Sequence, residues 1–155
     1  NNLAIKGTAE ILDSNDIHDY ICCPVGTGGT ISGVINSVGQ NQMVLGFPAT
    51  KGDFGLKESI LYWTGKANYE LISDYHFGGY AKINNQLIDF IKEFNLLQKV
   101  PLDAIYTGKM MFGVIDLIIK DQFPVNSSIL AIHTGGLQGN IGVNERFGLS
   151  LPINN

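Results

Sequence analysis

Hydrophobic and polar positions alternate between two patterns along the chain. Short, almost continuously apolar runs are typical of strands covered on both faces, and they predict strands at Tyr20–Cys23, Gln42–Gly46, Tyr69–Ile72 and Ser128–Ile132. The stretches between them have helical spacing and predict helices at Leu3–Leu12, Thr30–Val38, Leu56–Gly65, Ala81–Leu97 and Thr107–Ile119. This alternation predicts an α/β fold with a mostly parallel, twisted sheet and helices on both of its faces.

The composition narrows the class of protein. Of the 155 residues, 45% are hydrophobic and 15% are charged, and the formal charge is −4. The ten Lys and Arg residues are scattered, which argues against a surface for nucleic acid. The apolar runs are far shorter than the ~20 residues that span a bilayer. We therefore expect one soluble domain that binds neither nucleic acid nor membrane.

The cysteine content gives a weaker signal. The two cysteines, Cys22 and Cys23, are adjacent, so they cannot form an ordinary structural disulfide with each other. Metal-binding CxxC spacing is absent. We expect a cytoplasmic protein without a metal site.

Glycine is the anomaly of the composition, with 19 residues grouped between apolar segments. In CPVGTGGTISGVI, an apolar strand leads into Gly26, Thr27, Gly28, Gly29 and Thr30 and then into a helical pattern. Glycines let successive amides point inward, and the first turn of a helix adds partial positive charge. The segment lacks the Gly-Lys-Ser/Thr ending of a Walker loop and the last small residue of a dinucleotide fingerprint. It predicts a phosphate site, the alternative being a tight turn in which the glycines serve packing alone.

Three further clusters join polar residues to glycine turns: HFGGYAK (His76–Lys82), DAIYTGKMMFG (Asp103–Gly113) and LAIHTGGLQG (Leu130–Gly139). The carboxyl ends of parallel strands open onto one edge of a sheet. We therefore expect Gly26–Thr30 and His133–Gly136 to face the same crevice.

Taken singly, the residues of these clusters favour structural roles. Tyr80 and Tyr106 are typical of tyrosines at the edge of a core, and His133 of a hydrogen-bonded structural histidine. Lys109 suggests an imine-forming lysine. Nothing near it in the sequence would lower its pKa, so a lysine near a helix start is the preferred interpretation.

Six segments together resemble a known family: LAIKGTAEI, GTGGT, GGY, YTGKMMFG, IHTGG and ERFGLSLP. In this order and spacing they are similar to the D-cysteine desulfhydrase and 1-aminocyclopropane-1-carboxylate deaminase family. These enzymes depend on pyridoxal 5′-phosphate and have fold type II, the fold of the tryptophan synthase β-like proteins. The resemblance covers nearly the whole chain. It implies that residues 1–155 are the C-terminal half of such an enzyme, with most of the cofactor-binding large domain.

The resemblance also implies roles for particular residues. The loop Gly26–Thr30 would hold the cofactor phosphate, and Tyr106 would lie against the cofactor ring. Tyr80 would face the substrate side, where both tyrosines would act in stacking and proton handling. The hydroxyl of Thr134 would meet the pyridine nitrogen. A hydroxyl does not keep that nitrogen protonated as a carboxylate does, which suits β-elimination.

One residue of this chain differs from the deaminases of the family and bears on the expected reaction. Deaminases of the cyclopropane amino acid have Glu directly after the stacking tyrosine, whereas this chain has Thr107. This favours β-elimination of the D-cysteine desulfhydrase kind, giving a keto acid, ammonia and sulfide. The alternatives are ring opening of 1-aminocyclopropane-1-carboxylate to 2-oxobutanoate and ammonia, a non-catalytic module that binds phosphate or pyridoxal phosphate, and a purely structural domain.

One expected element is missing from the sequence. None of the nine lysines stands in the context of the family's imine-forming lysine, and no Ser-Asn-His segment for the substrate carboxylate is present. The family places both in the N-terminal half, so we expect that half of the same protein as a partner of this chain. The resemblance also implies that the enzyme is a homodimer. The isolated 155 residues are predicted to show no turnover and no covalently bound cofactor.

Overall fold

The computed structural model describes residues 2–52 and 55–153. Its strands are β1 (Tyr20–Val25), β2 (Met43–Pro48), β3 (Tyr69–Leu71) and β4 (Ile129–Ala131). Its α-helices are α1 (Asn2–Thr8), α2 (Gly29–Ser37), α3 (Leu56–Thr64), α4 (Asn85–Gln98), α5 (Thr107–Ile119) and α6 (Gly139–Phe147). A 3₁₀ turn at Ser73–Tyr75 follows β3. In these ranges no helix has the length and apolar character needed to cross a membrane.

The four strands form one parallel sheet in the order β3-β2-β1-β4. On β1, Ile21 pairs with Val44 of β2 on one side and with Leu130 of β4 on the other. β1 thus has β2, the next strand in the chain, on one side and β4, the last strand, on the other. The carboxyl end of β1 is therefore a topological switch point, where the strand order reverses. Ligands of open α/β sheets bind at such a point. The predicted fold class is confirmed.

Helices cover both faces of the sheet because side chains alternate along β1. Ile21, Cys23 and Val25 are buried in a cluster with apolar residues of α2 and α3. Cys22 is buried on the opposite face, in a cluster that includes Met110 of α5. A third cluster joins α4, α5 and α6. The amino ends of α2 and α5 are thereby fixed relative to the carboxyl edge of β1.

Helix α1 ends at Thr8, four residues before the predicted end at Leu12. The end of α1 packs against α2 at Gly33, where a Cβ atom would collide with Thr8 Oγ1 and with the Ile5 carbonyl oxygen. The Thr8 hydroxyl donates to the Ala4 carbonyl at 3.0 Å, and a turn follows. This close helix contact was not visible in the hydrophobic pattern.

Two differences near the other helices have local causes. Helix α4 begins at Asn85 rather than Ala81, because Asn84 Oδ1 accepts the Leu87 amide at 2.9 Å and thereby caps the helix. Helix α6 was not predicted, since Gly139 and Gly142 lower its intrinsic helix propensity.

Candidate cofactor site

The glycine loop is a strand-to-helix turn with free backbone donors. β1 ends at Val25, and α2 begins at Gly29 with no side chain capping its first turn. Gly28 has φ 89°, and a Cβ atom there would lie 2.9 Å from Leu56 Cδ1. The positive φ favours glycine at this position, and any larger residue would also displace the end of the Leu56 side chain. The uncapped first-turn amides and the helix dipole give this end of α2 the donors and partial positive charge that suit an anion.

The phenol end of the Tyr106 ring lies close to Gly26 at the start of this loop. A Cβ atom on Gly26 would be 3.3 Å from Tyr106 Cε1 and 3.4 Å from its phenol oxygen. Burial raises the pKa of Tyr106, and the neighbouring Tyr80 raises it further through charge repulsion and a hydrogen bond. The phenol of Tyr106 therefore stays protonated at neutral pH.

Asp103 fixes the backbone that carries Tyr106. Its buried carboxylate accepts the amides of Ile105 at 2.8 Å and Tyr106 at 2.7 Å through Oδ1. Oδ2 accepts the Thr107 amide at 2.8 Å and the Thr107 hydroxyl at 2.5 Å. These donors offset the desolvation of a buried carboxylate and cap α5. Asp103 was missed as a site residue, although an acid just before a helical pattern is a known capping signal.

Thr134 approaches the cleft from the turn after β4. Its backbone neighbours Gly135 and Gly136 have φ 80° and 101°. His133 Nε2 bonds the Pro101 carbonyl at 2.8 Å, and its Nδ1 accepts the Gly135 amide at 3.0 Å. These two bonds fix the orientation of the imidazole ring. His133 is thus a structural histidine that shapes the turn.

Gly136 brings this turn into contact with Asp103, just before the amino end of α5. A Cβ atom on Gly136 would lie 3.3 Å from Asp103 Oδ2. Asn140, buried at the start of α6, holds the same region by accepting the Ala104 amide at 2.9 Å and donating to the Leu102 carbonyl at 3.0 Å. Asn140 was also missed, because its partners lie 36 and 38 positions away.

These loops converge on one cleft of about 350 Å³. The residues that line it are Pro24, Val25, Gly26, Thr27, Gly28, Gly29, Thr30, Ile31, Tyr106, Thr134, Gly135, Gly136 and Gln138. The expected shared crevice for the glycine loop and the turn after β4 is present, although His133 does not line it. Tyr80 is not a lining residue either. Its ring contacts Tyr106 edge-on, with centroids 6.1 Å apart.

The chemistry of the cleft fits a planar ring that carries a phosphate. The amino end of α2 offers amide donors for the anion, Tyr106 offers an aromatic face, and Thr134 offers a hydroxyl. The glycines at the turns leave room that a Cβ atom would fill at Gly26 and Gly28.

The structure changes the interpretation of Lys109. Its side chain is 1% exposed, and this burial lowers its pKa to about 8, an effect that nearby Asp103 opposes. The expectation that nothing would lower this pKa was therefore wrong. The Lys109 ammonium donates to the carbonyls of His76 at 2.9 Å and Gly79 at 2.8 Å. It lies outside the cleft lining and has a structural position.

The cysteines and the acidic residues show no metal chemistry in the described part of the chain. Cys22 and Cys23 are buried, and burial raises the pKa of each thiol to about 12. No group of three or more His, Cys, Asp or Glu side chains is placed to hold a metal ion within residues 2–52 and 55–153.

Sequence comparisons identify relatives of this chain, although no protein-family model matches it. An inferred 1-aminocyclopropane-1-carboxylate deaminase of Pyrococcus abyssi is 32% identical over 134 residues, which are 78% of this chain and 40% of the relative. Its counterpart in Pyrococcus furiosus is 33% identical over 138 residues, with the same coverage. A D-cysteine desulfhydrase of Salmonella newport is 41% identical over 73 residues, 47% of this chain and 22% of the relative. The chain spans less than half the length of these relatives.

Comparison with solved structures also finds a relative of 1-aminocyclopropane-1-carboxylate deaminase. A crystal structure described as a homologue of 1-aminocyclopropane-1-carboxylate deaminase superposes with TM-score 0.77 and 25% identity, over 92% of this chain and 47% of that chain. Threonine deaminase isoform 2 of Solanum lycopersicum superposes with TM-score 0.54 and 20% identity, over 94% of this chain and 47% of that chain, and shows the fold alone. The chain has the fold of the type II pyridoxal 5′-phosphate enzymes. Within that class it is related to the D-cysteine desulfhydrase and 1-aminocyclopropane-1-carboxylate deaminase proteins, so the predicted resemblance is confirmed.

Proposed function

We propose that this chain holds pyridoxal 5′-phosphate in an enzyme that catalyses β-elimination from a small amino acid, with D-cysteine as the preferred substrate. The observation that carries the proposal is that the uncapped end of α2, the Tyr106 ring and the Thr134 hydroxyl share one cleft. When bound, the cofactor supplies an electron sink for the carbanion left by loss of the α-proton. D-cysteine and water would yield pyruvate, ammonia and hydrogen sulfide.

The glycine loop would bind the phosphate group. The amides at the start of α2 are the strongest donors for a dianion, because the helix dipole adds to their partial charge. Thr27 is exposed and Thr30 half-buried at the same turn, so their hydroxyls can add two further donors. Among the residues that the structure describes, no lysine lines the cleft, so this chain would offer the phosphate backbone amides and hydroxyl groups.

The remaining groups would orient the ring and manage protons. Tyr106 presents the phenol end of its ring to Gly26, and its raised pKa keeps the phenol a donor at neutral pH. Thr134 offers a neutral hydroxyl to a ring nitrogen, which leaves the ring a milder electron sink than a carboxylate partner would. Tyr80, on the outer side of Tyr106, would hold or transfer a proton at its phenol oxygen near the substrate.

Thr107 supports elimination over ring opening. Its side chain is buried, and its hydroxyl donates to Asp103 Oδ2. This position therefore presents no acidic group to the cleft, where the ring-opening enzymes carry a glutamate in the resemblance described above. Ring opening of 1-aminocyclopropane-1-carboxylate is the second candidate, because relatives at 32% and 33% identity carry that name.

The test is an assay of the full-length protein with both amino acids. We expect release of sulfide from D-cysteine to be faster than release of 2-oxobutanoate from the cyclopropane amino acid. The reverse order would overturn the substrate assignment, and failure to bind pyridoxal phosphate would overturn the whole proposal. Tyr106→Leu should lower turnover, whereas Tyr62→Leu, at a side chain 81% exposed and outside the cleft, should not.

The 155-residue chain by itself has a narrower expected role. We expect it to bind the cofactor through non-covalent contacts and to show no turnover, because the family's imine-forming lysine has no match in this sequence. The N-terminal-half partner, the homodimer and the cytoplasmic location stay predictions.

A further inference from the structure

The turn that carries Tyr80 has an unfavourable backbone conformation. Between the 3₁₀ turn and α4, the φ angles are 53° at Phe77, 96° at Gly78, 121° at Gly79 and 53° at Ala81. Glycine adopts positive φ freely, but Phe77 and Ala81 do not. Such a turn persists only where surrounding contacts hold it.

Lys109 supplies the strongest of these contacts. Its ammonium, buried beside the amino end of α5, donates to the carbonyls of His76 at 2.9 Å and Gly79 at 2.8 Å. The His76 carbonyl precedes Phe77 and the Gly79 carbonyl follows Gly78, so one charge joins both ends of this part of the bend. Hydrogen bonds from a charged donor are stronger than those between neutral groups.

The other contacts of this turn are weaker or local. The Gly78 amide donates to His76 Nδ1 at 2.9 Å, and the Phe77 ring meets Phe112 of α5 edge-on at 5.0 Å. Within the turn, the Gly79 amide donates to the His76 carbonyl at 3.0 Å and the Lys82 amide donates to the Gly79 carbonyl at 3.1 Å. The Lys109 bond ties the Gly79 carbonyl, next to Tyr80, to α5.

Tyr80 depends on the turn for its position. Its side chain is 57% exposed, and its ring contact is the edge-on approach to Tyr106. Lys109 lies three residues after Tyr106 on the same helix end, so α5 carries both the partner ring of Tyr80 and the anchor of its backbone. The relative placement of the two tyrosines is therefore set from one element.

We propose that Lys109 is a positioning residue that holds Tyr80 against Tyr106, a residue that lines the cleft. Its catalytic consequence rests on the proposed function, because Tyr80 is the group assigned to the substrate side. The placement itself does not depend on that function. Lys109 acts through the backbone of the turn and does not touch the cleft.

Hydrogen exchange tests the placement without cofactor or substrate. In Lys109→Met, we expect the Gly79 and Lys82 amides, which bond within the turn at 3.0 and 3.1 Å, to exchange at least about tenfold faster. Amides in the middle of α5 should keep their protection, which separates local release from global unfolding. Lys82→Met, at an exposed lysine of the same turn, is the matched control and should change neither set. Unchanged protection of the turn in Lys109→Met would overturn the proposal.

The ring signals of Tyr106 give an independent readout below the pKa of Lys109, which is about 8. The Tyr80 ring approaches Tyr106 edge-on at 6.1 Å, so release of Tyr80 should change the ring-current shift of the Tyr106 resonances. At neutral pH, NMR of ring-labelled tyrosine should show a shift in Lys109→Met in the same direction as in Tyr80→Leu, and none in Lys82→Met. Should Lys109→Met fail to fold, Lys109→Gln replaces it, keeping a donor but not the charge. Tyr106 resonances unmoved by the Lys109 variant but shifted by Tyr80→Leu would contradict the positioning role.

Kinetics of the full-length protein separate this inference from the proposed function. If either amino acid is turned over, Lys109→Met should lower kcat more than it raises KM, because Tyr80 is misplaced while the phosphate site is intact. An equal loss in Lys82→Met would overturn the inference. If neither amino acid is turned over, the proposed function fails, and hydrogen exchange and the Tyr106 ring signals still decide the position of Tyr80.

Discussion

The Asp103 carboxylate accepts the backbone amide of Tyr106 at 2.7 Å, inside a site with no exposure of the Asp103 side chain. The same carboxylate accepts three further donors from Ile105 and Thr107 and lies beside Gly136. One buried acid thus sets the amino end of α5 and touches the turn that carries Thr134. The two sides of the cleft are coupled through it.

Asp103→Asn tests this coupling. The asparagine oxygen can still accept two amides, but its NH₂ group would face the Thr107 amide, donor against donor. We expect the free energy of unfolding to fall by about 1–3 kcal/mol, measured by urea denaturation. Asp89→Asn, on the exposed side of α4, should stay within about 0.5 kcal/mol of the wild type. Equal stability of the two variants would refute a structural role for Asp103.

Gly26→Ala tests the contact between the loop and Tyr106. The added methyl would lie 3.3 Å from Tyr106 Cε1, so the ring must shift by a few tenths of an ångström. We expect the affinity of the full-length protein for pyridoxal phosphate to fall several-fold, with a loss of stability of no more than about 1 kcal/mol. Gly142→Ala, where a Cβ atom meets nothing within 4 Å, is the control. Unaltered affinity in Gly26→Ala would separate Tyr106 from the cofactor site.

Lys109 makes stability depend on pH in a defined window. Its pKa is about 8 in the folded protein against 10.5 for an ordinary lysine. The folded state binds fewer protons between these values, so this contribution to the free energy of unfolding rises with pH from about 8 to 10.5. The free energy of unfolding of the wild type minus that of Lys109→Met should therefore rise across this window. The contributions of other titrating groups are common to both proteins and cancel in this difference. A difference that stays flat across this window would contradict the buried charge.

The two thiols should be unreactive in the native state. Burial raises the pKa of Cys22 and Cys23 to about 12, and neither side chain has any exposed surface. We expect disulfide-exchange reagents at pH 8 to label both at least about a hundredfold more slowly in the native protein than in concentrated urea. Rapid labelling of either cysteine without denaturant would mean that β1 is accessible.

The sequence was sufficient to predict the parts of the site that depend on the backbone of one contiguous segment. A strand, a glycine turn and a helix start are contiguous in Gly26–Thr30, and the parallel-sheet rule then brought the turn after β4 to the same edge. The parallel fold followed from apolar runs such as Tyr20–Cys23, which are long enough to report burial on both faces.

The remaining parts depend on residues far apart in the chain. The lowered pKa of Lys109 arises because it is enclosed near the carbonyls of His76 and Gly79, 33 and 30 positions away. Helix α6 is stabilised by burial of Asn140 and Val143 rather than by its own propensity. Neither effect leaves a periodic signal in the sequence, since each is created by the tertiary contact itself.

The most direct test of the account is a crystal structure of the full-length protein grown with pyridoxal 5′-phosphate. We predict that phosphate oxygens accept hydrogen bonds from the amides at the start of α2, with the ring beside Tyr106 and its nitrogen at the Thr134 hydroxyl. A phosphate bound elsewhere, or a ring that contacts neither Tyr106 nor Thr134, would contradict the central claim.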